Sequence, residues 1–416
     1  MSPAPRGGIF YGWWMVAACL LIATLAWTLG VFGVSAYLYA ITRLQGWSIG
    51  VVSSSITMFY LTSACLSMPV GSLVGRKGPR GVFTIGALAM GTSVILLGRV
   101  TAPWQVYAIF MLTGVGYACL GPTALTTTLA PWFERHQGRA VTIALLGASF
   151  GGMIGLPLLA TGIETLGFTR ATLLAGLAVM AVVLPLAWKV MRRHPQELGL
   201  WPDGTPPGAR APGAEPRQWN RSAAIATLQF RTSIAAFGLA LLVQLGFLTH
   251  HIALAAPTLG ASGAAALVSG TAVAAFIGRI ALARFSDSVD VRLAAAAMFS
   301  GGAVALALLA FAASPLALVV ASVAYGLTIG NVTTLSPIIV RREFGAASFG
   351  AIYGVGAMII GLLSCLGPSL YGWLHDWSGG YRLPLLTAAA IEVVATAVIL
   401  YGRPSPEAGL RPPGMA

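Results

Sequence analysis

Only 8% of the 416 residues are charged, 24 basic and 11 acidic, so an ionisable side chain inside an apolar run is a chemical signal. Arg279 is the clearest. It follows an uncharged, alanine-rich stretch (264–278) and precedes Asp287 by roughly 12 Å along a helix. A guanidinium keeps its proton in any setting and offers a planar fork that matches a carboxylate. Placed in hydrocarbon it costs about 2.5–3.5 kcal/mol, which a bound organic anion would offset. The competing reading is a side chain that stretches to the membrane surface. His250 and His251 come next. Adjacent helix positions diverge by about 100°, so one of the two faces a central cavity. Imidazole titrates near neutrality and can take a proton or donate to a carboxylate; a neutral histidine bonded to a neighbouring helix explains it equally well. Glu392 stands alone in the last apolar run, where an acid held neutral or bonded between helices is favoured over a coupling role. Glu164, Arg170 and Arg99 fall near run ends, where they meet headgroups.

These groups need a scaffold that lipid permits. The chain is 57% hydrophobic, and apolar runs long enough to cross a core of roughly 30 Å recur throughout. They cover about 12–36, 49–70, 82–98, 104–130, 140–162, 170–190, 231–255, 262–284, 293–313, 315–339, 348–373 and 383–402. Each must be helical, because lipid offers no partner to an unpaired backbone group. A soluble fold is excluded. The formal charge of +13 invites a nucleic-acid reading, but its distribution opposes one. Only Arg43, Arg99, Arg170 and Arg382 fall outside alternate connections and the two ends of the chain, which is the positive-inside pattern with both termini cytoplasmic. Residues 1–11 precede a full-length span with no small-residue cleavage site, so no cleavable signal is expected. Cys19, Cys65, Cys119 and Cys365 show no metal or redox spacing and read as small packing residues. No clustered metal ligands and no phosphate-cradling loop occur, so neither a cofactor nor an enzymatic activity is implied.

The polar stretch 192–230, rich in Pro, Gly and Arg, divides the spans six and six. Punctuation repeats about 210 residues later: GSLVGRKGPR (71–80) is echoed by ARFSDSVDVR (283–292), and Pro131 by Pro337. Duplicated halves flanking a midplane site suit a machine in which one half rocks against the other. Gly147, Gly151 and Gly155 share one helix face and allow close approach, as do Gly350 and Gly354.

GSLVGRKGPR resembles the loop 2–3 signature of the major facilitator superfamily, G-x-L-a-D-r-x-G-r-[KR]. Gly71, Leu73, Arg76, Gly78 and Arg80 match, and Gly75 stands where the signature has its acid. FYGWWMVAA (10–18), PWFERHQGRA (131–140), HPQELGLWPDG (194–204) and GRIALARFSD (278–287) resemble the monocarboxylate and oxalate–formate porter branch. The resemblance extends over essentially the whole chain.

The resemblance implies an all-α integral membrane fold of twelve transmembrane helices in two pseudo-symmetric six-helix bundles, 1–191 and 231–416, joined by a cytoplasmic linker, 192–230. Gating falls to Arg76 and Arg80 with their second-half counterparts Asp287 and Arg292; with Gly75 in place of the acid, the first half locks differently. The branch's anion-binding arginine falls on Arg279. His250 sits where relatives carry histidine, which makes it a candidate for both substrate binding and proton coupling. Helices one, four, seven and ten line the cavity of this superfamily. They nominate Tyr37, Tyr117, Tyr325 and Asn331, with Tyr353 added from the eleventh. The twelfth, bearing Glu392, is peripheral. The eleventh span has no lysine, so a monoanion fits better than a dicarboxylate, which would favour two cations.

The expected protein is therefore a secondary transporter of a small organic anion, a monocarboxylate, working by alternating access with proton symport; exchange stays open. Its expected partners are that anion, protons and the lipid bilayer, with no nucleic acid and a monomeric state. Its expected place is a bacterial inner membrane. Drug or metabolite exporters of the same fold often carry acids in the first four spans, and this chain has none there. A transporter-like sensor would usually add a long cytoplasmic domain.

Overall fold

A computed structural model describes residues 10–204, 220–285, 290–345 and 349–403. Among the described residues every regular element is helical, as the apolar runs require. Eleven helices among the described residues are long and apolar enough to cross a membrane. The first six are α1 (Tyr11–Gln45), α2 (Ile49–Lys77), α3 (Pro79–Leu97), α4 (Pro103–Trp132), α5 (Gln137–Leu166) and α6 (Phe168–Val190). The next element, Leu228–Phe285, holds two spans. Gly260 interrupts it at φ 72°, a conformation that a residue with a Cβ adopts only at a cost, and separates α7 (228–259) from α8 (261–285). There follow α9 (Val291–Ala310), α10 (Pro315–Phe344), α11 (Ile352–Ser378) and α12 (Arg382–Tyr401). Twelve spans result, as the hydropathy pattern predicts. Several helices outrun the apolar runs, α1 reaching Gln45 and α2 reaching Lys77, because backbone bonding continues where hydrophobicity stops.

Several spans are not regular. π-helical turns occupy Trp27–Phe32 in α1, Gly151–Gly155 in α5 and Leu186–Val190 in α6. Helix α4 breaks at Gly121, ahead of Pro122, and α10 breaks at Gly330–Asn331. The two breaks lie about 210 residues apart, at the repeat spacing. Interrupted helices at matching points of two halves are where transporters of this build bind ligands.

The chain divides into two compact units. One comprises the described residues within Met1–Gly33 and Thr62–Ala211, the other those within Val34–Leu61 and Pro212–Ala416. The sequence reading places 34–61 with the first bundle; here that segment is bonded to α7 and α11. The Ile252 N–H donates to Ser35 Oγ at 3.0 Å, and the Gly50 N–H, in the first turn of α2, donates to Asp376 Oδ2 at 2.8 Å. The Thr57 and Ser369 hydroxyls are 2.7 Å apart. The stretch read as linker is also folded at both ends, as 3-10 turns at Pro195–Leu198 and Pro202–Gly204 and a helix at Arg221–Ala226, capped by Asn220.

In the first unit the glycine face of α5 lies on α1. A Cβ on Gly151 would sit 2.8 Å from Trp27 Cβ, and one on Gly155 would overlap the Thr28 hydroxyl. Thr28 Oγ1 reaches the Gly151 carbonyl at 3.4 Å. The second unit is built on Phe230, Phe237, Phe299, Leu335, Ile339 and Ile399, drawn from α7, α9, α10 and α12. Of the cysteines expected to pack, Cys19, Cys119 and Cys365 are buried and Cys65 is exposed.

Candidate functional site

Helices α8 and α10 meet backbone to backbone: a Cβ on Gly278 would overlap the Leu327 carbonyl, and one on Gly330 the Ala275 carbonyl. That approach brings Arg279 to the break in α10. Its Nε donates to the Gly330 carbonyl at 2.6 Å, one of the acceptors that a helix interruption leaves open. The side chain is half-buried, and no carboxylate pairs with it among the described residues. One edge of the guanidinium is thus anchored, and among the described residues no acid meets its terminal nitrogens. Asn331 follows immediately. Its Nδ2 reaches the Leu327 carbonyl at 3.4 Å, and its buried Oδ1 has no hydrogen-bond partner. Arg279 and Asn331 are the two sequence candidates that the fold brings together.

His250 lies elsewhere in the second unit, 1% exposed. Its Nε2 is 3.0 Å from the Pro368 carbonyl, which can only accept, so Nε2 carries the hydrogen. Nδ1 is left as the acceptor and takes the Tyr381 O–H at 3.1 Å. The ring stacks on Tyr371 at 5.7 Å. Both nitrogens are thus engaged by α11 and the α11–α12 connection. His251 turns the other way, with Nε2 3.4 Å from Ser322 Oγ and its ring against Phe247.

The remaining candidates are dispersed. Tyr117 lies in the first unit, its ring 5.5 Å from Trp27 and against the break at Gly121. In the second unit Tyr37 is fully buried, and Tyr353 packs on the hydrophobic core. Tyr325 is fully buried beside Phe247. Glu392 is buried in α12. Glu164, Arg170 and Arg99 are exposed at helix ends.

Of the residues read as gating, Asp287 lies outside the described residues. Arg76 is exposed. Arg80 donates from Nε to the Met191 carbonyl at 3.0 Å, and Arg193 donates to the Gly75 carbonyl at 3.0 Å, tying the start of α3 and the end of α2 to the segment just after α6. Arg292 forms a two-pronged ion pair with Glu343, Nε–Oε1 2.6 Å and Nη2–Oε2 3.0 Å. It also donates to the carbonyls of Gln229 and Ile399. One guanidinium therefore clamps α7, α9, α10 and α12 within the second unit. Glu343 was not singled out from sequence. Its only signal is its position about 210 residues after Glu134, at the repeat spacing. Asp290 caps α9 through the N–H of Arg292 and also pairs with Arg403. Burial raises its carboxyl, but those N–H donors and the guanidinium outweigh burial and hold it below the usual carboxylate range.

Three of the motifs that carried the sequence resemblance converge at one end of the first unit. Phe10, Tyr11 and Trp13 pack on Trp132 and Phe133. Arg139 sits over the Trp13 ring at 5.5 Å. The Asp203 carboxylate accepts the backbone N–H groups of Glu134 and Arg135 at 2.9 and 2.7 Å and meets His136 Nδ1 at 3.1 Å. Burial pushes the Asp203 carboxyl up; the convergent N–H groups of Arg135 and Glu134, with His136, win and lower it.

Twelve apolar spans, matched breaks in α4 and α10, and an arginine anchored at one of them define a polytopic membrane transporter. The chain belongs to the Major Facilitator Superfamily, whose family model matches residues 16–249. That membership makes it a transporter of small molecules and not an enzyme. Its relatives include monocarboxylate transporter 13 of Bos taurus, 26% identical over 80% of this chain and 76% of that one. Another is monocarboxylate transporter 11 of Mus musculus, 26% identical over 97% and 90%. Among solved structures it is similar to the nucleoside transporter NupG, with TM-score 0.74 at 11% identity over 93% of this chain and 99% of that one. A bacterial homologue of the lysosomal transporter Spinster, crystallised inward-facing, gives TM-score 0.71 at 14% identity over 96% and 100%. These structures share its fold.

Proposed function

We propose that the protein carries a small organic monoanion, a monocarboxylate, across a bacterial inner membrane by alternating access and with a proton. The observation that carries this reading is Arg279, a half-buried guanidinium fixed through Nε to the Gly330 carbonyl with no acid paired to it among the described residues. A carboxylate docking on the fork would neutralise it, and Asn331 at the same break offers a second polar contact. The monocarboxylate transporters among its relatives support the choice of substrate class. The basic residues at the α2–α3, α4–α5, α8–α9 and α10 ends support cytoplasmic termini. The moving parts of this reading are the two six-helix bundles expected from the sequence. His250, whose nitrogens meet Pro368 and Tyr381, is kept in this reading as the candidate of the second unit for proton movement.

Uptake of labelled monocarboxylates into proteoliposomes tests the reading. A charge-assisted hydrogen-bond contact is worth about 1.5–3 kcal/mol, so Arg279→Ala should lower transport by at least tenfold, and Arg279→Lys should retain part of it. Undiminished transport by Arg279→Ala would remove the arginine from the site.

A further inference from the structure

Glu392 is 2% exposed in α12, and its Oε2 has no hydrogen-bond partner. The hydroxyls of Tyr325 on α10 and Tyr371 on α11 are likewise buried without partners. Tyr325 and Glu392 share one neighbourhood: a Cβ on Gly302 of α9 would lie 3.4 Å from the Tyr325 ring edge and 3.6 Å from Glu392 Oε1. Tyr371 lies on α11, which packs on α12. Buried oxygens without partners are a costly arrangement unless something hydrogen-bonds to them.

We infer that Glu392 is the proton-binding carboxyl of this transporter, set beside Tyr325. The step is a simple transfer: the carboxylate takes a proton from the aqueous phase on one side, forming an O–H, and returns it to the other. The other titratable groups on the helices around it do not supply a counter-charge. Arg292, at the start of α9, is consumed by Glu343. On α7, His251 is bonded to Ser322 and His250 to Pro368 and Tyr381. On α12 itself, Arg382 and Tyr401 are at the ends. On the neighbouring α11 and its connection to α12, titratable side chains run out to the exposed Asp376: Tyr371 stacks on His250, Tyr381 donates to His250, and His375 packs on Tyr381 at 4.5 Å beside Asp376.

Charge parity then gives a coupling rule, which rests on the anion-carrier reading above. Arg279 and Glu392 lie inside spans of the second unit without an ion pair among the described residues, whereas Arg43, Arg231, Arg341 and Arg382 are exposed toward span ends. With both ligands bound, the anion neutralises Arg279 and the proton neutralises Glu392. With neither bound, one positive and one negative charge remain. Both states have the same net charge, whereas a state holding only one ligand leaves an uncompensated charge in an apolar interior, which is disfavoured. Loaded and empty forms cross; half-loaded forms do not.

The test uses purified protein in proteoliposomes. Glu392→Gln, a permanent mimic of the loaded acid, should abolish accumulation driven by a pH gradient, so that labelled monocarboxylate reaches only equilibrium, while counterflow against unlabelled substrate continues. Accumulation equal to wild type would overturn the inference. Infrared difference spectra across a pH jump supply a readout that needs no substrate. Wild type should show the C=O stretch of a titrating buried acid, and Glu392→Gln should lack it; the same band in both overturns the assignment. Should Glu392→Gln not fold, Tyr325→Phe should shift that band, and an unmoved band is equally fatal. A wild type that moves no carboxylate but shows the band would defeat the substrate reading alone.

Discussion

Arg292 allows a worked prediction. Its guanidinium is 2% exposed and donates to both oxygens of Glu343, to the carbonyls of Gln229 and Ile399, and to Thr232 Oγ1 at 3.4 Å. Removing one member of a buried ion pair strands the other, at about 3–5 kcal/mol. Arg292→Met should therefore destabilise the second unit by that amount, leaving a buried carboxylate and two carbonyls short of donors. Glu343→Gln keeps one acceptor and should cost less. In Arg292→Met with Glu343→Gln no charge is stranded, so the pair should recover about 2–3 kcal/mol relative to the sum of the single changes. Unfolding of detergent-solubilised protein, followed by tryptophan fluorescence, measures all four corners of the cycle. Single losses below about 1 kcal/mol that simply add would refute the clamp and return Arg292 to the role of a surface gating charge.

Two further outcomes follow from the first unit. Gly155→Val should lower the melting temperature, because its side chain would occupy the space of the Thr28 hydroxyl, an overpacking worth about 1–3 kcal/mol. Gly162→Ala, which would meet only Ala171 Cβ at 3.7 Å inside a helix, should leave it unchanged or raise it slightly. The Asp203 clasp should respond to acid. Its folded carboxyl lies below the unfolded value of about 3.9, so its stabilisation is present above that value and fades as pH falls through the folded one. Amide exchange at Glu134, Arg135 and His136, corrected for intrinsic rates, should be flat between about pH 5 and 7 and rise only under acid; Asp203→Asn should raise it at neutral pH.

How much was legible varies by residue. The spans could be read because backbone satisfaction in lipid forces each long apolar run into a helix, whatever its neighbours do. The α5 glycines could be read because a four-residue spacing puts them on one face, and the fold lays that face on α1. The three motifs at 10–18, 131–140 and 194–204 were visible as strings, yet nothing in their spacing says that Phe10, Trp132 and Asp203 belong to one aromatic and hydrogen-bonded clasp. His250 was visible as a titratable group, but its partners Pro368 and Tyr381 lie more than a hundred residues away. Glu343 and Tyr371 carried no local signal at all.

The amino-acid sequence alone determined that this is a twelve-span membrane transporter with a repeated plan and an unusual arginine in α8, since those properties follow from local hydropathy, charge and spacing. Tertiary structure alone decided which charges are spent on partners and which stay free: Arg292 is matched to Glu343, whereas Arg279 and Glu392 are left without an ion pair among the described residues. Pairing depends on which helices touch, and in a bundle whose faces are all apolar that choice is made by close packing between distant segments, which no single segment encodes.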